Sequence, residues 1–260
     1  MKAKFSPDMY RPLGQTGLEV APLSLGAVKL GRNTGVKYPQ GFELPTDAEV
    51  RRLLEHARRL GINLIDTAPA YGSSEDRLGQ LLPGPREDWI ISTKTGEQHG
   101  ADGSSWDYSR KATQASVARS LKRLKTDYLD LALVHSNGAD REVIEQTPVL
   151  ETLASLKDKG DIRAIGFSGK SPTESRLALP LVDVLMVPLS ETDPSHLPLI
   201  AEAADAGKGV LLKKIFDSGH ATDPASAIRY AVNVAGVSSA VIGSLSEDHL
   251  SQNVLAACAH

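Results

Sequence analysis

The sequence has a single cysteine in 260 residues, Cys258, so no intrachain disulfide can form and a reducing compartment is the simplest setting. It also lacks any block of like charge. The 29 Lys and Arg against 32 Asp and Glu leave a formal net charge of -3, which gives no electrostatic footprint for nucleic acid. The densest basic stretch, Arg119-Ser-Leu-Lys-Arg-Leu-Lys125, interleaves Leu121 and Leu124 at helical spacing and reads as the solvated face of a helix. Nowhere does an apolar run approach the roughly 20 residues that a membrane helix needs. The opening Met1-Lys-Ala-Lys-Phe-Ser-Pro-Asp-Met-Tyr10 carries charge but no apolar core, so no signal peptide is expected. No low-complexity segment or linker divides the chain. These absences predict one domain over 1–260, located in the cytoplasm, with no nucleic acid, membrane or metal partner and no oligomeric state implied.

What the sequence does contain is an alternation. Tyr10-Arg-Pro-Leu-Gly and Leu18-Glu-Val-Ala-Pro-Leu, with Gly14 and Gly17 between them, predict a short N-terminal β-hairpin. After Leu23-Ser-Leu-Gly-Ala, short apolar runs recur at 62–65, 89–93, 129–134, 162–167, 182–187, 209–212 and 239–242. Each is followed by a segment of helical period, such as Val50/Leu53/Leu54/Ala57 or Val117/Leu121/Leu124. Thr46-Asp-Ala-Glu49, Ser171-Pro-Thr-Glu174 and Ser244-Leu-Ser-Glu247 fit capping boxes. Asp193-Pro194 and Asp223-Pro224 fit caps before a first-turn proline. Gly61, Gly160 and Gly207 stand where helices should stop. About eight strand–helix units in this length predict a (β/α)8 TIM barrel. The polar stretches 31–46 and 95–109 read as loops, with Trp106 in the second a candidate pocket wall.

In such a barrel, chemistry sits at the C-terminal ends of strands and in the loops after them. Asp66 ends one strand with Tyr71 in its loop, Lys94 ends the next and His135 the one after. Taken singly these are an ordinary turn former, a packing ring, a surface charge and a structural imidazole. Together they supply complementary parts. A phenol is a poor acid–base near neutrality, a neighbouring ammonium favours its ionised form, a carboxylate keeps that ammonium charged, and an imidazole N–H can hold a carbonyl oxygen.

The stretch Gly61-Ile-Asn-Leu-Ile-Asp-Thr-Ala-Pro-Ala-Tyr-Gly-Ser-Ser-Glu-Asp-Arg-Leu-Gly79, followed by Ser92-Thr-Lys94 and Leu129-Asp-Leu-Ala-Leu-Val-His135, resembles the signature of the aldo-keto reductases. Lys159-Gly-Asp-Ile-Arg-Ala-Ile-Gly-Phe-Ser168 and Ile242-Gly-Ser-Leu-Ser-Glu-Asp-His-Leu-Ser-Gln-Asn253 look like later segments of that family. The resemblance implies an NADP(H)-dependent reductase of small aldehydes and ketones, with NAD(H) as second cofactor candidate. Tyr71 would be the proton donor, Lys94 and Asp66 its tuning pair, and His135 the group positioning the substrate. Ser168 would meet the nicotinamide carboxamide, and Lys214, Phe216 and Ser218 would cover the pyrophosphate. Gly243, Ser244, Ser246, His249, Gln252 and Asn253 would meet the adenosine and its 2′-phosphate, where a helix N-terminus with serine hydroxyls also suits a phosphate physically. Ser244 and Ser246 read equally well as plain helix caps. The chain departs from the family pattern at Gly169, where relatives commonly carry Asn, and at Leu189, where many place an aromatic. It departs again at Gly243 and His249, where NADP-preferring members have Lys and Arg. Ending at His260, it is expected to leave the substrate pocket open on one side. Two other readings use the same residues: a cofactor-dependent redox sensor or regulatory subunit, as in the potassium-channel β subunits that resemble this family, and a Schiff-base aldolase on Lys94.

Overall fold

A computed structural model describes residues 3–36, 38 and 41–259. Met1, Lys2, Lys37, Pro39, Gln40 and His260 lie outside it, and with them part of the 31–46 loop and the chain end on which the open-pocket expectation rests. The predicted N-terminal hairpin forms as β1 (Arg11–Pro12) against β2 (Glu19–Val20), antiparallel. Then come β3 (Leu23–Gly26), α1 (Val28–Gly31), α2 (Asp47–Arg59), β4 (Leu64–Asp66), α3 (Ser74–Leu81) and β5 (Ile90–Thr95). A second hairpin, β6 (Glu97–Gly100) and β7 (Gly103–Trp106), precedes α4 (Arg110–Leu124) and β8 (Leu129–His135). The chain continues through α5 (Asp140–Gln146), α6 (Val149–Asp158), β9 (Ile162–Ser168), α7 (Pro172–Ser175) and β10 (Val184–Pro188). It ends with α8 (Leu197–Asp205), β11 (Gly209–Lys213), α9 (Pro224–Asn233), β12 (Ser239–Ile242) and α10 (Glu247–Cys258).

Strands β3, β4, β5, β8, β9, β10, β11 and β12 pair in that order, all parallel, and close into a barrel. This is the expected (β/α)8 architecture. Alternation along each strand divides the core in two. On β8, Leu131 and Leu133 join Leu64, Ala164, Val184, Met186 and Leu211 in one apolar cluster. Ala132 and Val134 belong to the second cluster, with the buried faces of the helices, including Val50, Leu53, Leu54 and Ala57 of α2. Each of the fully buried leucines contributes about 1.5–3 kcal/mol of burial. Leu13 and Val20 of the N-terminal hairpin are fully buried in the first cluster, so the hairpin plugs the end where strands begin. Gly14 makes that closure possible: its φ is +58°, and a Cβ there would lie 2.2 Å from Gly209 N, room that glycine alone leaves.

Local signals hold in most places. Thr46 and Glu49 form the full capping box of α2, Asp223 caps α9 ahead of Pro224, and Gly61, Gly160 and Gly207 all take positive φ. Four expectations are corrected. Ser171 caps α7, but the Glu174 carboxylate accepts from Arg141 N instead of closing the box. Asp193 spends its side chain on Ser195 N, and α8 starts only at Leu197, behind His196. The cap of α10 is Ser246, not Ser244: its Oγ accepts from His249 N, while Glu247 lies 3.4 Å from His56 Nδ1. The 95–109 stretch is no plain loop but the β6–β7 hairpin. Among the described residues no helix is long and apolar enough to cross a membrane.

Candidate active site

Strand register brings the predicted group together. Asp66 pairs with Ser92 across β4–β5, Lys94 with Leu133 across β5–β8, and His135 with Ser168 across β8–β9. The four chemical side chains therefore leave one rim at adjacent strand ends. Tyr71 is carried by a tight turn after β4. Tyr71 N bonds Ala68 O, Ser74 N bonds Tyr71 O, and Gly72 takes φ +61°. The turn is pressed against α1: a Cβ on Gly31 would sit 2.3 Å from Tyr71 O, and Arg32 reaches Ala70 O at 3.1 Å.

Lys94 Nζ donates to both Asp66 oxygens, at 2.7 and 2.6 Å, and to Thr67 O at 2.8 Å. All three ammonium protons are thereby engaged. Burial alone would lower the pKa of this lysine, but the Asp66 charge outweighs it and the value rises. The Lys94 ammonium lies 4.9 Å from the centre of the Tyr71 ring, and the His135 ring stands perpendicular to that ring at 6.2 Å. The expected depression of the phenol is not the net result. Burial raises the Tyr71 pKa, and Asp66 adds to it against the opposing pull of Lys94, so the hydroxyl stays protonated.

These residues line one cavity of about 240 Å³, together with Ser168, Lys170, Met186, Lys213, Lys214 and Gly243. An adjoining cavity of about 380 Å³ holds Phe216 and Ser218 and shares Val28, Tyr38, Lys214, Val241 and Gly243 with the first. Asp66, Tyr71, Lys94, His135, Ser168, Lys214, Phe216, Ser218 and Gly243 are thus collected in one continuous groove. Ser244, Ser246, His249, Gln252 and Asn253 are not lining residues of either part. They follow β12 into the first turns of α10, with His249 and Gln252 exposed. Trp106 stands 42% exposed on β7, opposite Glu97, and lines neither part. Leu189 is buried in the outer core, and Met186 is the apolar side chain of β10 that reaches the cavity. Gly169 has no room for the asparagine of relatives, since a Cβ would lie 1.8 Å from Ser175 Oγ.

Two residues of the site carry no assignment from sequence. Glu97, on β6, places Oε2 2.8 Å from His135 Nδ1, although the approach is off the line of an aligned hydrogen bond. Ser104 Oγ donates to the other oxygen at 2.6 Å, and Arg32 lies 3.7 Å away. Burial would raise this carboxyl, but His135, Ser104 and Arg32 together hold it down at about 2. His135 itself titrates below its ordinary value because burial, with the Lys94 and Lys213 charges, outweighs Glu97. Lys213 ends β11, and its amine donates to Ser168 Oγ at 2.8 Å. A signal for Lys213 exists in the sequence: it lies two residues beyond the interior Leu211, on the same strand face. Glu97 has none, because the hairpin that carries it shows no alternation of apolar residues.

Known proteins resemble this chain in both sequence and structure. The profile of the Aldo/keto reductase family matches residues 22–192. A solved structure from Pseudomonas aeruginosa, described as an aldo-keto reductase, superposes with a TM-score of 0.90 at 46% identity, covering 99% of this chain and 97% of that one. An oxidoreductase of Bacillus subtilis, YqkF, is 31% identical over 80% of this chain and 68% of its own length. The NADH-specific methylglyoxal reductase of Escherichia coli is 35% identical over 60% of this chain. That match, like the one to a plant L-galactose dehydrogenase, spans about half the length of the relative.

Proposed function

This chain belongs to the aldo/keto reductase family of oxidoreductases, and from that premise we propose that it reduces small aldehydes and ketones with NADP(H), Tyr71 donating the proton. The observation that carries the reading is the Tyr71 ring 4.9 Å from the Lys94 ammonium, which both Asp66 oxygens hold. The groove fits an elongated dinucleotide. Gly243 leaves it open, since a Cβ there would meet nothing closer than 3.6 Å. Ser168 stands at one end with a hydroxyl to offer, and Lys214, Phe216 and Ser218 line the other. When bound, the nicotinamide supplies the hydride. The protein's own residues do the rest. The cavity holds the carbonyl near Tyr71, whose hydroxyl gives its proton to the carbonyl oxygen, and the Lys94 ammonium stabilises the phenolate left behind. His135, held by Glu97, orients the carbonyl.

NADP(H) rests on Ser244, Ser246 and the N-terminus of α10 as a phosphate seat. NAD(H) is the second candidate, favoured by the NADH specificity of the E. coli relative and by the exposed His249 where relatives carry arginine. Lys94 as an imine-forming nucleophile finds no support, because all its protons are bound and its pKa is raised. Fluorescence titration with both cofactors, followed by a carbonyl panel read by loss of reduced nicotinamide absorbance, tests the proposal. Turnover with either cofactor on small aldehydes is the expected result; binding of neither would overturn it.

Glu97→Gln is expected to lower kcat/KM for carbonyl reduction by about tenfold or more, the scale of a lost charge-assisted contact. Because the Glu97 carboxylate raises the His135 pKa, its removal should also move the His135 limb of the pH–rate profile to lower pH. A limb that stays in place would show that Glu97 is structural only. Stability provides a second readout. The folded-state pKa of Glu97, about 2, lies below its ordinary 4.5. The contact therefore stabilises the fold above that ordinary value, and its contribution is lost as pH falls towards 2. The variant should lose less stability than the wild type across that window.

A further inference from the structure

Lys213 takes no part in the reaction above, yet it lines the same cavity as Tyr71 and His135. Its amine has one hydrogen-bond partner, the neutral hydroxyl of Ser168, and among the described residues no carboxylate comes within ion-pair distance. Lys94, Lys170 and Lys214 line the same cavity. The acidic group that acts on Lys213 is Asp140 of α5, which is not among the residues lining the cavity. Its oxygens are already committed to the Ser136 and Ser175 hydroxyls and to Lys170 N and Ser171 N. His196 and His135, also near, both titrate below the ordinary imidazole value and offer no counter-charge. Lys213 is thus a half-buried amine facing other ammonium groups with no anion of its own. Burial first, then the charges of Lys214 and Lys94, bring its pKa down to about 7. The contrast with Lys94 on the same wall is complete: that amine has a carboxylate and three accepted protons, and this one has neither.

We propose that Lys213 is a carbonyl-capturing amine, whose Nζ adds to small aldehydes bearing an anionic group and holds them as a Schiff base in the cavity. The nitrogen lone pair forms the C–N bond as the carbonyl π pair moves to oxygen, and one amine proton passes to that oxygen. The second amine proton then leaves with the hydroxyl as water, and the C=N bond forms. No oxidant or reductant is consumed, and water reverses the step. The remaining lysine charges attract the anionic group, which sets the ligand class. Capture needs no cofactor, so the proposal stands apart from the hydride-transfer reading. Its functional meaning is reversible blockage of the carbonyl pocket by reactive anionic aldehydes.

The test is reductive trapping on the full chain with glyoxylate and cyanoborohydride, with the carboxymethylated lysines mapped by peptide mass spectrometry. At about pH 7.5 an amine with pKa near 7 is mostly neutral, whereas a lysine at its ordinary value near 10.4 is about 0.1% neutral. Lys213 should therefore be labelled at least about tenfold faster than the exposed Lys111 and Lys122, with a rate half-maximal near pH 7. Lys213→Arg should abolish that label while the other lysines react as before. Should that variant fail to fold, the wild-type map alone decides. Labelling of Lys94 or Lys214 ahead of Lys213, or of Lys213 no faster than the exposed lysines, would overturn the proposal.

Discussion

Tyr71→Phe is expected to lower kcat for carbonyl reduction at least about a hundredfold, the range for loss of a positioned general acid, while the cofactor Kd stays within about threefold. The variant removes one oxygen and keeps the ring, so the contacts of that ring with the Lys94 ammonium and the His135 ring survive. Neither of the two groups packed against the ring replaces the proton. His135 titrates below its ordinary value and is neutral at working pH, and the Lys94 protons are all accepted by Asp66 and Thr67. Because the Tyr71 pKa is raised, the wild-type rate should show no loss of this proton as pH rises from 7 to about 9. Single-turnover measurement with saturating cofactor isolates the step. Retention of more than about a tenth of the wild-type rate would remove Tyr71 from the role of donor.

Lys94→Met affects both activity and stability. It strips the phenolate of its stabilising charge, with an activity loss of the same order as that of Tyr71→Phe. It also leaves Asp66, 4% exposed, with only Ser92 Oγ at 2.9 Å as a side-chain donor. Breaking a buried ion pair from one side costs about 3–5 kcal/mol, because the remaining charge is uncompensated. The double variant Asp66→Asn/Lys94→Met should regain much of that stability without regaining activity. Urea unfolding of the single and double variants measures the coupling. A Lys94→Met midpoint within about 1 kcal/mol of wild type would mean that the pair is better hydrated than its geometry indicates.

The barrel was legible in the sequence because its signals are local and repeated. The run at 239–242 is β12 to the residue, and Gly61, Gly160 and Gly207 stop helices where left-handed backbone is needed. The grouping of the candidate quartet was legible for a related reason: a strand end fixes where a side chain emerges, so Asp66, Lys94 and His135 needed only strand positions. What escaped reading depends on contacts between distant segments. The β6–β7 hairpin has no apolar alternation to announce it. Its Glu97 acquires meaning only from His135, 38 positions on, and from Arg32 behind it. The capping role went to Ser246 over Ser244 because the chain leaving β12 takes one more step before it turns. Lys213 was passed over for its neighbour Lys214, although strand alternation alone points it inward.

The Glu97 contacts also bear on how this mouth could be rebuilt. Arg32 comes from the segment after β3, Glu97 from the hairpin after β5, and His135 from the end of β8. The three meet at the Glu97 carboxylate on the rim, so these segments are not interchangeable parts. A hairpin transplanted from a relative with a neutral residue in place of Glu97 would leave Arg32 without this counter-charge and His135 without its carboxylate partner. Conversely, a new first segment without Arg32 would take a cation away from a carboxylate that Arg32, His135 and Ser104 together hold ionised. Grafts that broaden substrate range here would have to exchange the three segments as a set.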